Sequence, residues 1–241
     1  MKINGKAYCL FEQSGTFRDA FKRAGIPAVC VDIDNQDGQT DHIIDLFEAI
    51  EQSYDGKPSF IDRITPDDFV MAFFPCIYFC QFHVINIRKE KSSFKTKTQR
   101  LQGEFAIKKM KNTAFYFELL TKLETLAVER GWRMVIENPY TFSLMWMIWR
   151  KPDVVDMDRA KMGDFFHKPT AYWFYGCKPE KNSVYSVNKN TKTVAKEKSA
   201  VESGVCSLDR SRISPLYADN FIHCFVLGND NPTKNQQLTL L

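Results

Sequence analysis

Cys76 and Glu137 each follow an apolar segment of the sequence that is typical of a buried strand. Residues 69–74 precede a Pro-Cys pair, and residues 133–136 precede Glu137. Proline lacks an N–H group and ends strand pairing, so we expect residues 68–80 to deliver the thiol just outside a sheet. A thiolate is a nucleophile, and a carboxyl directly after a strand is well placed for acid–base chemistry. The alternatives are a buried structural cysteine and a carboxylate that only caps or forms a salt bridge.

These two segments belong to a chain in which predicted strands alternate with predicted helices. The opening indicates a strand, a tight turn at Gly15, a helix and a second strand, which together make a βαβ unit of about 30 residues. The later patterns predict a strand or helix at 43–50, a central strand at 69–74, a helix at 99–130, strands at 133–136 and 171–175, and a helix at 215–227. Such alternation predicts an α/β fold with a mostly parallel sheet and helices on both faces.

A chemically useful side chain follows each of four predicted strands: Glu12, Asp32, Cys76 and Glu137. In parallel sheets ligands bind beyond the carboxyl ends of the strands, so we expect these side chains to surround one site. The turn at Gly15 lacks the G-x-G-x-x-G pattern, which argues against a nicotinamide dinucleotide. Asp32 is either a ribose ligand or a turn and helix-capping residue.

Taken together, these segments resemble the cytosine-C5 DNA methyltransferase family. Residues 68–76, an apolar strand ending in Pro-Cys, resemble its nucleophile motif, and residues 136–138 resemble its Glu-Asn-Val motif. Residues 10–15, followed by a helix, are similar to its cofactor loop, and residues 211–215 are similar to its last motif, which returns to the cofactor site. The order of the motifs is that of a short phage- or mobile-element-like member with a single domain over residues 1–241.

The resemblance implies a Rossmann-like S-adenosylmethionine-dependent methyltransferase fold and a reaction at a cytosine flipped out of duplex DNA. Attack of the Cys76 thiolate on ring C6 makes C5 able to take a methyl group, and Glu137 assists at N3. The resemblance also implies the residues that bind the cofactor: Phe11, Glu12, Gly15, Asp32, Ile33, Asp45 and Pro75.

Positive charge is concentrated in residues 88–111, which hold nine Lys and Arg side chains against Glu90 and Glu104. Such a block is either a footprint for a phosphate backbone or a solvated helix face. The resemblance implies a lid that closes over DNA, and Lys168-Pro169-Thr170 is similar to a basic motif that touches the target cytosine. The DNA-binding residues expected on this basis are Arg88, Lys89, Lys91, Lys95, Lys97, Arg100, Lys168 and Thr170.

The sequence departs from the family pattern at several positions. The cofactor loop keeps only Gly15, Ile77 stands where a Gln commonly follows the nucleophile, and Pro139 replaces the Val after Glu-Asn. No large target-recognition domain lies between the motifs, only residues 140–161 and a Lys-, Asn- and Ser-rich stretch at 181–199 that we expect to be a flexible insertion. Two other functions therefore stay open. One is a non-catalytic nucleic-acid-binding protein on a decayed methyltransferase fold, and the other is an enzyme that modifies a pyrimidine of RNA or a free nucleotide without S-adenosylmethionine.

The composition is that of an ordinary globular protein, with 44% hydrophobic and 26% charged residues and a net charge of +4. No apolar run reaches the roughly 18–20 residues of a membrane span, and no signal peptide is evident, so we expect a cytoplasmic protein. The seven scattered cysteines are expected to remain thiols. Cys76, Cys80 and His83 lack the second ligand pair of a structural zinc site, so no metal is expected, and a monomer is the default.

Overall fold

The computed structural model of the protein describes residues 1–79, 99–140, 143–180, 192–193 and 212–228. Its strands are β1 (Ala7–Leu10), β2 (Ala28–Asp32), β3 (His42–Ile43), β4 (Phe69–Ala72), β5 (Arg133–Pro139), β6 (Val154–Asp156), β7 (Phe166–His167), β8 (Thr170–Tyr175) and β9 (Lys192–Thr193). Its α-helices are α1 (Thr16–Arg23), α2 (Leu46–Tyr54), α3 (Gln99–Glu129) and α4 (Pro215–Phe221). Short 3₁₀ or π-helical segments cover Phe60–Arg63, Met145–Trp149, Arg159–Met162 and Ile222–Leu227.

Seven of these strands form one sheet in the order β3-β2-β1-β4-β5-β8-β6. The pairs β1–β2, β1–β4, β2–β3 and β4–β5 are parallel. β8 runs the other way and is antiparallel to both β5 and β6. The prediction of an α/β fold with a mostly parallel sheet is confirmed, and β8 is the strand whose direction the apolar pattern at 171–175 did not reveal.

Strands β1, β4 and β5 lie side by side in the middle of the sheet. Leu10 pairs with Ala72, and Ala72 pairs with Ile136, so the carboxyl ends of the three strands are nearly level. Every residue of β1 and β4 is buried, which explains their continuous apolar runs. From β1 the chain moves to β2 on one side and later returns to β4 on the other. The space between β1 and β4 is therefore the switch point at which open α/β sheets bind ligands.

Helices cover both faces of the sheet, as predicted. α2 and α3 pack together over one face, where Leu10 and Ile136 point, and α1 and α4 pack together over the other, where Cys9 and Val135 point. This division follows from strand geometry, because successive side chains of a strand point to opposite faces. The two hydrophobic cores hold the middle strands rigidly between them.

The segment predicted as a strand or helix at 43–50 is both, and it divides at Asp45. The Asp45 carboxylate accepts hydrogen bonds from the N–H groups of Phe47 (3.0 Å) and Glu48 (3.2 Å). The first N–H groups of a helix have no intrahelical acceptor, so a carboxylate at this position stabilises the start of α2. β3 ends at Ile43, two residues before this cap.

The two long helical predictions agree with the structure. The pattern at 99–130 corresponds to α3, of 31 residues, whose buried side chains lie in its C-terminal half. The pattern at 215–227 corresponds to α4 and the π-helical segment that continues it. α4 begins at a proline and is capped by Ser214, whose hydroxyl oxygen accepts the N–H of Tyr217 at 3.0 Å.

Part of the sequence-based interpretation lies outside the described residues. This holds for residues 88–98 of the basic block, for Cys80 and His83, and for the stretch at 181–199 apart from β9. Over the described ranges, no group of His, Cys, Asp and Glu side chains is arranged to hold a metal ion. In that same part of the chain, no helix has the length and apolar character needed to cross a bilayer.

Candidate active site

A cavity of about 220 Å³ opens at the carboxyl ends of β1, β4 and β5. The loops that follow these strands form most of its wall. The predicted site residues that line it are Phe11, Glu12, Pro75, Cys76, Glu137 and Lys168. The structure therefore brings the predicted nucleophile, the predicted acid and part of the predicted cofactor loop around one space.

Cys76 lies at the start of a tight turn that follows β4. The N–H group of Phe79 donates a hydrogen bond of 2.9 Å to the Cys76 carbonyl and closes the turn. β4 is shorter than the apolar run at 69–74, because the chain leaves the sheet on its way to Pro75. Cys76 is half-buried on the wall of the cavity, so the prediction that this segment presents a thiol beyond the strand is confirmed.

Asn138 connects the strand that carries Glu137 to the loop that carries Cys76. Its side-chain amide donates a hydrogen bond of 2.8 Å to the carbonyl of Phe74, and the residue is fully buried. Losing such a donor would leave a buried carbonyl unsatisfied, at a cost of about 1–3 kcal/mol. Asn138 thus holds the thiol side and the carboxyl side of the cavity together.

Glu137 is 8% exposed and lies beside a buried arginine. Nη1 of Arg159 is 3.8 Å from Oε1 of Glu137, and Nη2 of Arg159 is 2.5 Å from Oδ2 of Asp164. Burial by itself would lower the pKa of the Arg159 guanidinium, but the charge of Asp164 and its other neighbours raises that pKa above the ordinary value. Glu137, the predicted acid, therefore lies beside the positively charged guanidinium of Arg159.

Glu12 points into the protein. Its carboxylate accepts hydrogen bonds from the N–H groups of Phe17 (2.7 Å) and Arg18 (3.4 Å) and from the thiol of Cys30 (3.1 Å). Burial raises the pKa of Glu12 above its usual value, and these hydrogen bonds offset part of that rise. Glu12 caps α1, because the N-cap residue Gly15 has no side chain that could do so.

Phe11 has a backbone φ of 59°, in the left-handed region that side-chain-bearing residues rarely adopt. Its ring packs against those of Phe47 and Phe74, with centroids 5.8 Å and 5.3 Å away. This conformation costs about 1–3 kcal/mol and persists only where the surrounding packing imposes it. The packing of Phe11 turns the chain out of β1 and into the cavity wall.

Gly15 lies in a turn whose backbone conformation favours glycine. Its φ is 72°, and a Cβ atom at this position would lie 2.6 Å from Nη2 of Arg18. The Arg18 side chain donates to the backbone carbonyl and the side chain of Gln39 and pairs with Asp41 at 3.4 Å. Arg18 therefore ties the first turn of α1 to the loop after β2, which contributes Asp37 to the cavity.

The residues predicted to hold the adenosine part of the cofactor follow β2. Asp32 is half-buried, burial raises the pKa of its carboxyl, and one of its oxygens accepts the N–H of Asp34 at 2.9 Å. Ile33 beside it is 63% exposed. An exposed apolar side chain next to a carboxylate fits a nucleoside, whose base has apolar faces and whose ribose donates hydroxyl hydrogen bonds. Asp45, also predicted as a cofactor contact, is the cap of α2. Glu12 and Gln13 lie in the loop after β1 and line the cavity.

Three of the predicted DNA-binding residues lie in the described part of the chain. Lys168 lines the cavity and is half-buried. Thr170 is fully buried in β8 and donates its hydroxyl to the Lys168 carbonyl at 3.2 Å, so in this structure it supports Lys168 and does not line the cavity. Arg100 is exposed on α3 and pairs with Glu104 at 3.1 Å. The remaining predicted contacts, Arg88, Lys89, Lys91, Lys95 and Lys97, lie outside the described residues.

No protein-family model and no curated protein matches this chain. The geometry of the cavity and the resemblance of its motifs are therefore the grounds for assigning a function.

Sequence reasoning missed the polar groups that later elements bring to the cavity. Arg159 belongs to a 3₁₀ turn between β6 and β7, in a polar stretch without strand or helix periodicity. Arg212 lines the cavity as well, and its Nη2 lies 3.4 Å from Oδ1 of Asp37. Nothing in the spacing of Arg159 signals its place at the cavity, because it arrives through the tertiary fold. Arg212 belongs to residues 211–215, whose resemblance to the last motif implied a return to the cofactor site, but its own contact was not predicted.

Proposed function

We propose that the protein is a DNA (cytosine-5-)-methyltransferase that acts in the cytoplasm with S-adenosylmethionine as its methyl donor. The observation that carries the proposal is that Cys76 and Glu137, which follow the neighbouring strands β4 and β5, line the same cavity. Addition to a pyrimidine needs a nucleophile for C6 and a proton donor for the ring nitrogen. The reversed strand β8 between β5 and β6 also fits the methyltransferase fold that the resemblance implies.

The protein's own side chains account for activation of the ring. The Cys76 thiolate forms a bond to C6, the C5–C6 electron pair shifts to the C4–C5 bond, and N3 takes a proton from Glu137. C5 is then the nucleophilic carbon of an enamine. S-adenosylmethionine, held along Asp32 and Ile33, would supply a methyl group as the electrophile. Loss of the C5 proton to a base and departure of the Cys76 thiolate restore the aromatic ring.

The depth of the cavity supports a base that has left the helical stack. Glu137 is almost fully buried and Cys76 is half-buried, so neither side chain can reach a base that is still paired in a duplex. Enzymes that act on a base ring therefore extrude the nucleotide into a pocket. Lys168 and Arg212 add positive charge to the cavity for the sugar–phosphate backbone that must follow the base.

Trapping of a covalent adduct tests this proposal. The protein is incubated with tritiated S-adenosylmethionine and duplex DNA that carries 5-fluorocytosine in many sequence contexts. Because fluorine at C5 prevents the final loss of a proton, we expect a stable protein–DNA adduct that carries tritium. Cys76→Ala abolishes the adduct. Cys177→Ala, the matched control, keeps it, because this half-buried thiol lies outside the cavity and burial raises its pKa to about 11. No adduct on any DNA would overturn the proposal.

A second candidate is an enzyme that modifies a pyrimidine by the same thiol addition but without S-adenosylmethionine. It is favoured by the loop after β1, where Glu12 and Gln13 line the cavity at positions that are richer in glycine in the family. The cavity, at about 220 Å³, is also smaller than the roughly 300–1,000 Å³ typical of sites for drug-sized ligands. Titration calorimetry distinguishes the two candidates. Binding of S-adenosylmethionine supports the methyltransferase, whereas a Cys76-dependent adduct without any cofactor binding supports the second candidate.

A further inference from the structure

The turn that carries Cys76 is fixed at its far end by the hydrophobic core. Phe79 is fully buried, and its ring centroid lies 6.0 Å from that of Phe74 and 4.7 Å from that of Phe117 on α3. The Phe79 carbonyl accepts the N–H of Leu144 at 2.9 Å. These contacts fix the last residue of the turn, three positions after the thiol.

Tyr78 attaches the middle of the same turn to α3. Nδ2 of Asn112 donates a hydrogen bond of 2.7 Å to the hydroxyl oxygen of Tyr78, and the rings of Tyr78 and Tyr116 pack edge to face with centroids 4.5 Å apart. Asn112 and Tyr116 are four residues apart, so they lie on the same side of the helix, one turn from each other. Two successive turns of α3 therefore hold the half-buried side chain of Tyr78.

The geometry of this turn decides where the Cys76 sulfur lies. Attack on a ring carbon needs the reacting atoms about 3–3.5 Å apart and aligned, so a small displacement of the turn slows the reaction. Asn138 holds the chain just before the thiol through the Phe74 carbonyl, and Tyr78 holds the chain just after it. The described residues that line the cavity include neither Tyr78 nor Asn112, so these two side chains act on the reaction only through the turn.

We propose that Tyr78 and Asn112 form a positioning pair that sets the orientation of the Cys76 thiol from α3. This inference rests on the proposed function and adds to it two residues that do not touch the substrate. Loss of the pair leaves the residues that line the cavity in place, so the reaction slows while the affinity for DNA does not change. Because α3 begins within the basic block of residues 88–111, the pair also connects the segment expected to contact DNA with the reactive turn.

The test removes the hydrogen bond from each side and measures adduct formation on 5-fluorocytosine DNA. Tyr78→Phe deletes only the hydroxyl, and we expect it to slow the adduct roughly 2- to 10-fold, the range for one lost neutral hydrogen bond. Asn112→Ala should slow it by a similar factor. The double variant should be no slower than the slower single variant, because both changes remove the same bond. Fluorescence anisotropy with unmodified DNA should give the wild-type affinity for all three.

Two further variants separate positioning from a general loss of stability. Asn112→Asp should restore the wild-type rate, because the Tyr78 hydroxyl can donate to a carboxylate at this position. Tyr175→Phe is the matched control. The Tyr175 hydroxyl also accepts a side-chain N–H, from Trp149 at 3.4 Å, but Tyr175 is not among the described residues that line the cavity. Equal slowing in Tyr78→Phe and Tyr175→Phe, or a loss of DNA affinity that accounts for the slower rate, would overturn the proposal.

A measurement without DNA distinguishes failure of this inference from failure of the proposed function. Alkylation of Cys76 by iodoacetamide, followed by peptide mass spectrometry, reports how often the half-buried thiol becomes exposed. We expect Tyr78→Phe, but not Tyr175→Phe, to raise that rate roughly 2- to 10-fold. If the wild-type protein forms no adduct but alkylation still rises in Tyr78→Phe, the positioning pair stands and the methyltransferase proposal fails. If Tyr78→Phe forms the adduct at the wild-type rate, the proposed function stands and the positioning pair is wrong.

Discussion

Asn138 follows Glu137 in the sequence, but its side chain contacts the loop that carries Cys76. Its amide holds the Phe74 carbonyl, two residues before Cys76, while its neighbour Glu137 faces Arg159. The side chain of Asn138 thus acts on the position of the thiol and does not itself line the cavity. A residue of this kind changes the reaction rate through the position of the thiol, and a misplacement of about 1 Å can lower a rate 10²-fold.

We therefore expect Asn138→Ala to lower both stability and the rate of adduct formation. The free energy of unfolding falls by about 1–3 kcal/mol, because the Phe74 carbonyl loses its donor. Urea denaturation measures the first effect, and trapping on 5-fluorocytosine DNA measures the second. Ser59→Ala is the control, since it removes a similar bond to the Ala49 carbonyl (2.6 Å) far from the cavity. If the two variants lose adduct formation equally, Asn138 has no special effect on the thiol.

The sequence predicted Cys76 and Glu137 because each follows an apolar strand, a local signal that survives without knowledge of the fold. It did not predict Arg159, whose place beside Glu137 depends on a turn that only tertiary packing brings to the cavity. Thr170 shows the opposite error. The resemblance of Lys168-Pro169-Thr170 to a family motif implied a contact with substrate, whereas the strand pairing of β8 buries the Thr170 side chain.

At the scale of an element, the N-terminus of α1 carries an unusual arrangement. Helix N-termini attract anions because their first N–H groups are unpaired. In this protein the carboxylate of Glu12 occupies that position and accepts the N–H groups of Phe17 and Arg18. A ligand at this loop therefore meets a carboxylate that is already bound to the helix, and the helix has no free N–H groups there for a phosphate.

The buried carboxyl of Glu12 makes stability depend on pH. Burial raises its pKa in the folded state, so the folded protein binds this proton more tightly than the unfolded chain does. The free energy of unfolding then falls as pH rises from the ordinary glutamate pKa to the raised one. We expect the stability of the wild-type protein relative to Glu12→Gln to decrease as the pH rises above the ordinary glutamate pKa of about 4, as measured by urea denaturation.

Glu48→Gln is the control for this prediction. Glu48 is an exposed glutamate in the first turn of α2, so it also lies near a helix N-terminus but is not buried as Glu12 is. Its substitution should give no such decrease with pH. If stability relative to each variant decreased by the same amount with pH, the burial of Glu12 would not be the cause of the pH dependence.

The helices and strands were largely predictable from the sequence, and each error in predicting them has a local cause. β3 ends at Ile43 and Asp45 caps α2, so a single apolar pattern at 43–50 covered two elements. β6 and β7 are three and two residues long, too short for a periodicity to emerge. The direction of β8 depends on its partners, because its sequence TAYWFY is buried throughout and carries no directional signal.

At the scale of the whole molecule, the sheet decides where chemistry is possible. β1, β4 and β5 end level with one another, which is why side chains that are distant in the sequence meet in one cavity. Fold class and sheet direction followed from the alternation of strands and helices. The strand order did not, since nothing in the sequence states which strands become neighbours.

The charge distribution gives a prediction at this scale. If duplex DNA is the partner, the logarithm of its binding constant falls linearly with the logarithm of salt concentration, by about 0.9 for each phosphate neutralised. Replacing Arg88, Lys89 and Lys91 with Ser should reduce that slope by up to about 3. Filter binding over a range of salt concentrations measures it. Substituting the exposed Lys57, Lys151 and Lys178 removes equal charge elsewhere, and an equal change in slope would contradict a local DNA-binding role for the basic block.

The pairing of β4 with β5 has a consequence for the synthesis of the protein. Cys76 and Glu137 are about 60 residues apart in the sequence, and a ribosome adds about 5–20 residues per second. The nascent chain therefore carries the thiol for roughly 3–12 seconds before the carboxyl is translated. The two groups meet only when β5 has docked beside β4. Until then the cavity that both residues line is incomplete, because its wall is assembled by folding.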